Sequence, residues 1–213
     1  MRKVMATTAM AAMLLVGCGK KTAELPADPV ELAATCGVIA AASERETAGF
    51  KGDLPADAQG RILHYAMLYA SEGKSFDKDK VNAVSKRMPA LFDTTIKGKW
   101  QTLRPGCATA FPATQVAQPV LPPKPVDAML ECYAMADFLR KALADQGSSY
   151  AEAANRYGVL TGKLDVSMTP ALRAAGIGNG DELNAKRAEA LATATKLGQP
   201  PAFVAACEKK YGA

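Results

Sequence analysis

The chain has 213 residues, of which 49% are apolar and only 6% aromatic, and it carries a formal charge of +5. That length can bury a core in one or two domains, and abundant alanine with few β-branched residues favours packed helices over sheet. Acidic and basic side chains are interspersed and nearly balanced, which excludes the basic block or stripe that tracks nucleic acid.

Met1-Arg2-Lys3 is a short basic start, followed from Val4 to Val16 by an apolar stretch interrupted only by Thr7 and Thr8. A bilayer-spanning helix needs about 20 apolar residues, so this stretch reads as the apolar region of an export signal. It ends in Leu15-Val16-Gly17-Cys18, which resembles the lipobox of the bacterial prolipoprotein family. The resemblance implies cleavage between Gly17 and Cys18, diacylglycerol on the Cys18 thiol, and acylation (palmitate) of the new amino group. Each buried methylene contributes about 0.8 kcal/mol, so two or three chains anchor far more firmly than one. In this family an aspartate after the cysteine retains the protein at the inner membrane. Gly19 therefore implies the periplasmic face of the outer membrane. Without residues 1–17 the net charge falls to +3, because Arg2 and Lys3 are lost. Residues 18–28 are polar and patternless and are expected to form a tether, about ten residues with a reach of ~35 Å.

The first module is expected to span residues 29–111. Pro29 opens its first helix, with Ala33, Cys36, Ile39 and Ala40 on one face. A second helix carries Ile62, Tyr65, Leu68 and Tyr69, and a third carries Val81, Val84, Met88, Leu91 and Phe92, with Pro89 expected to break or kink it. A short fourth helix holds Cys107. Five prolines then crowd the segment from Pro112 to Pro125, so residues 112–124 read as a semi-rigid spacer.

The second module, 125–213, begins with a cleaner stripe of Met129, Cys132, Met135, Ala136, Leu139 and Leu143. Tyr150, Ala153, Tyr157 and Leu160 form its second helix. A separate short helix is expected around Pro170 to Ala175, ending at Gly176, and another from Asn179 with Glu182 as its capping-box partner. The last helix carries Cys207. No window alternates long enough for a strand. The expected fold is all-α, with two tandem disulfide-closed four-helix modules.

With Cys18 lipidated, Cys36, Cys107, Cys132 and Cys207 remain, and four thiols allow three connectivities. An internal repeat favours one. Pro29-Val30-Glu31 stands ahead of Cys36 as Pro125-Val126-Asp127 stands ahead of Cys132. Leu103, Cys107 and Phe111 share the i, i+4, i+8 spacing of Phe203, Cys207 and Tyr211. A diverged tandem duplication predicts Cys36–Cys107 and Cys132–Cys207. Metal or redox use of these thiols is disfavoured: no two of them have the C-x-x-C spacing, and the chain has one histidine.

Chemistry-bearing motifs are sparse. His64, the single histidine, excludes two-histidine metal sites and reads as a partly exposed structural residue. Ser71-Glu72-Gly73-Lys74 matches the S-x-x-K nucleophile motif of penicillin-recognising enzymes, but Ser-Asp-Asn and Lys-Thr-Gly are missing. Gly176-Ile177-Gly178-Asn179-Gly180 could cradle a phosphate, though a helix-to-helix turn explains it as well. Asp77 to Lys80 reads as a charged helix start rather than a calcium loop. Lys97-Gly98-Lys99-Trp100 is a small basic patch beside the only tryptophan, which is expected to pack over the helix junction. No metal or cofactor is expected. The reading that follows is a non-enzymatic envelope lipoprotein, a binding or scaffolding module that meets membrane lipid through Cys18 and an envelope protein or glycan through its body. The alternative is an inhibitor or immunity protein that guards the envelope against a toxin or hydrolase.

Overall fold

The computed structural model describes residues 24–49, 52–177 and 180–212, so Gly17, Cys18, the export signal, and Gly178 and Asn179 lie outside the described residues. Among the described residues the fold is all-α, with eight α-helices and no strand. These are α1 (Pro29–Thr47), α2 (Ala56–Ala70), α3 (Lys78–Ile96), α4 (Arg104–Ala110), α5 (Pro125–Ala144), α6 (Ala151–Ala174), α7 (Gly180–Leu197) and α8 (Pro200–Tyr211).

The helix starts follow local chemistry. Pro29 and Pro125 each take the first turn, where a missing N–H costs nothing. The Asp28 carboxylate caps α1 by accepting from the Glu31 N–H at 2.9 Å. Asp77 caps α3 in the same way, accepting from the Asp79 and Lys80 N–H groups. The acidic run there is a helix cap, as its sequence suggested.

Two disulfides close the chain as the repeat pattern anticipated. Cys36–Cys107 ties α1 to α4 and Cys132–Cys207 ties α5 to α8, with Cα–Cα separations of 5.5 and 5.7 Å. All four cysteines are buried. Each bond therefore joins the first helix of a four-helix set to its last.

Three local expectations give way to tertiary packing. Pro89 does not break α3, which runs on to Ile96, because Met88 and Leu91 still pack on the core and hold the flanking turns. Pro170 does not start a separate helix. It lies inside the 24-residue α6, where Leu164, Met168 and Leu172 carry one buried face straight through it. Losing one backbone hydrogen bond is outweighed by that burial. The helix ends where expected: Gly176 has φ +79°, its N–H reaches the Arg173 carbonyl, and the Ile177 N–H reaches the Leu172 carbonyl. That is a Schellman cap, so the described part of the glycine-rich segment serves to stop α6.

The third departure concerns the linker. The two helix sets share one core, in which Met67 and Val84 of the first pack in the same cluster as Met135, Leu139, Tyr157, Leu164 and Phe203 of the second. The proline-rich segment is bound rather than free. Gln199, before α8, donates its backbone N–H to the Val116 carbonyl at 2.9 Å and its side-chain amide to the Thr114 carbonyl at 2.8 Å. Helix α2 lies close to α8, since a Cβ at Gly60 would sit 2.6 Å from Pro201 Cγ.

A candidate ligand-binding cleft in the first helix set

Helix α3 is buried at Val81 and Val84 only. Its later turns keep an apolar face, with Met88, Phe92 and Ile96 half-buried. Opposite, α1 offers the small side chains of Ala41 and Ala42. Small residues facing large ones leave the space between them unfilled. The result is an open cleft of about 1020 Å³, walled by α1, α2 and α3 and reaching Leu54 and Trp100. That volume is in the upper range of sites for small molecules.

The chemistry of the lining is one-sided. Val38, Ile62, Met88, Phe92, Ile96 and Trp100 supply apolar surface, and Gln59, Ser85 and Gln146 supply neutral polar groups. Arg45, in the last turn of α1, is the single charged side chain among the described lining residues. It makes no hydrogen bond or ion pair among the described residues. The neighbouring Glu44 is committed elsewhere: both its oxygens accept from Arg61, at 2.6 and 2.8 Å. The cleft wall thus holds apolar matter and one unmatched positive charge, with no carboxylate, imidazole or thiol among its described lining residues.

The structure places the other sequence candidates away from this cleft or out of use. His64 is fully buried, not partly exposed, because α2 packs against α7 of the second set. Its Nε2–H donates to the Thr195 carbonyl at 2.8 Å, which fixes the tautomer, and Nδ1 has no partner among the described residues. Burial pushes the imidazole down to about 4, only partly opposed by the Thr195 hydrogen bond, so His64 is neutral at pH 7. It borders a second, smaller cleft of about 390 Å³ beside Arg61 and Tyr65, with its Nε2–H already taken by the Thr195 carbonyl. Ser71 is also buried, and its hydroxyl donates to the Met67 carbonyl at 2.7 Å at the end of α2. Lys74 lies beyond that helix end and is exposed, so the Ser-Lys pair is not assembled. Trp100 is buried in one apolar cluster with Cys36, Cys107 and Tyr65, over the junction that the sequence pointed to. Among the described residues no cluster of three or more candidate metal ligands occurs.

One carboxyl is unusual. Glu131 on α5 is buried, its Oε2 lacks a partner among the described residues, and desolvation, with Asp127 adding to it, pushes the carboxyl up to about 7. Sequence reasoning missed it, as it missed Arg45. A signal for Arg45 was present, however: Val38, Ala41, Ala42 and Arg45 fall at i, i+3, i+4 and i+7 on α1, a stripe of small apolar residues that ends in a charge.

No protein-family model matches the chain, and neither does any curated protein or solved structure.

Proposed function

We propose that this protein is a non-enzymatic lipoprotein of the bacterial envelope that binds an apolar ligand in the α1–α2–α3 cleft while acylated Cys18 holds it at the periplasmic face of the outer membrane. The cleft of about 1020 Å³ carries the binding part of this reading, because an apolar wall of that size left open to water is costly unless something occupies it. The lipobox at Leu15 to Cys18 carries the tether. Leu25 already packs against the apolar cluster that holds Trp100 and Cys107. The segment from Cys18 to Leu25 therefore spans at most roughly 25 Å, so a membrane anchor at Cys18 would hold the cleft near the lipid. A tandem duplication, with one ancestral helix set closed by one disulfide, accounts for the matching α1–α4 and α5–α8 bonds.

The test uses full-length protein and the apolar dye N-phenyl-1-naphthylamine. Saturable binding of one equivalent, abolished by Ala41→Phe, supports the reading. Binding that is absent, or unchanged in the variant, contradicts it. In cells that express the protein, Cys18→Ser is expected to move it from the membrane to the soluble fraction, and continued sedimentation with membranes would remove the tether.

A further inference from the structure

We infer that the cleft takes an amphiphile with one acyl chain and an anionic head, the chain lying among Val38, Phe92, Ile96 and Trp100 and the head pairing with Arg45. This rests on the cleft being a binding site and goes on to name the chemistry of its ligand.

Three observations lead there. The first is charge. Arg45 borders an apolar wall with no partner among the described residues; of the two carboxylates beside it in sequence, Glu44 is held by Arg61, and Glu46 is exposed and does not line the cleft. Guanidinium presents a planar fork that matches a carboxylate or phosphate bidentately, and next to apolar surface such a pair is stronger than in open water. A cationic head finds no carboxylate among the described lining residues to pair with. Arg45 does stand at the negative end of the α1 dipole, but that field is weaker than a bidentate ion pair and fades within a turn.

The second is size. At the ~30 Å³ that a water molecule takes up in the liquid, the cleft has room for roughly thirty non-hydrogen atoms. One acyl chain with its head fits within that number. The third is the wall itself. Val38, Ala41, Ala42 and Arg45 run in order along one face of α1, and Ser85, Met88, Pro89, Phe92 and Ile96 along one face of α3. Two apolar faces with the cation at the end of one suit a linear molecule that is apolar along its length and charged at its tip. A fatty acid and a lysophospholipid share that chemistry.

The full mature chain carrying Cys18→Ser, which removes the anchor without shortening the chain, is titrated with four probes: palmitate, palmitoyl lysophosphatidylglycerol, hexadecanol and hexadecyltrimethylammonium, each below its micelle-forming concentration. Trp100 is the only tryptophan and lines the cleft, so its emission reports occupancy. At least one of the two anionic probes should saturate at one equivalent and bind at least tenfold more tightly than hexadecanol, and the tighter of the two identifies a carboxylate or a phosphate source. Arg45→Gln should erase that tenfold preference and leave hexadecanol affinity unchanged, which also reports an intact fold. Equal affinity for the neutral or cationic probe, or a preference that survives Arg45→Gln, overturns the anionic head and leaves the cleft as a general apolar site. No saturable Trp100 response to any probe removes the cleft reading as well.

Discussion

His64→Gln separates the buried imidazole from everything else that titrates. The ring is fully buried and held at about 4, against 6.5 for a free histidine. Below pH 6.5 the unfolded chain takes up a proton that the folded chain declines. The stability associated with neutral His64 is therefore present above about 6.5 and is lost as pH falls through about 4. At 1.36 kcal/mol per pKa unit the loss across that window is about 3 kcal/mol. Glutamine keeps an amide N–H able to donate to Thr195 and does not titrate. Urea unfolding with the disulfides intact, followed by far-UV circular dichroism at pH 4 to 8, reads the difference between the two proteins. Wild type should exceed the variant by a constant amount above pH 6.5, and that margin should shrink, or reverse, by about 3 kcal/mol on going to pH 4. A difference that stays constant to within ~0.5 kcal/mol over the whole range would mean that His64 titrates in contact with solvent, and would refute its burial between α2 and α7.

Glu131→Gln should act with the opposite sign. The folded carboxyl, at about 7, lies above its ordinary value, so its contribution is full below about 4.5 and is lost as pH rises through 7; the variant is expected to gain up to about 3 kcal/mol on wild type at pH 8 and nothing at pH 4, as read by the same unfolding series. Replacing the cysteines of either disulfide with alanine should cost ~4 kcal/mol, since each closes a loop of similar length, with sequence separations of 71 and 75. Thermal unfolding of each variant should remain a single transition, because the two helix sets share one core; two transitions would show that they fold separately. Gly60→Val should destabilise by ~1–3 kcal/mol, because even a Cβ there meets Pro201 at 2.6 Å; a neutral result in a calorimeter would mean that α2 and α8 do not meet so closely.

Features governed by neighbours in the sequence were legible. Proline at the first turn marks where α1 and α5 begin, and the common spacing ahead of Cys36 and Cys132 points to the pairing that the structure contains. Asp77 and Gly176 act at helix ends as their chemistry requires. Features governed by distant partners were not legible. His64 reads as half-exposed until α7 is laid over it, and Pro170 reads as a boundary until Leu164, Met168 and Leu172 are seen to be buried on both sides of it. The proline-rich segment reads as a spacer because nothing local shows Gln199 binding its carbonyls. The cleft illustrates the same limit most clearly. Met88, Phe92 and Ile96 have the spacing of any core stripe, and whether such a stripe is filled or left open depends on the volume of the residues opposite, here Ala41 and Ala42.

Mass spectrometry of the protein extracted gently from its own envelope, recorded first under native and then under denaturing conditions, tests most directly that a tethered cleft carries an acyl amphiphile. The account requires a covalent lipid at Cys18 in both spectra, and in the native one a further acyl compound, one per chain, that is released on unfolding and missing from Ala41→Phe. A chain that emerges empty under native conditions, or a variant that carries the compound equally well, contradicts it.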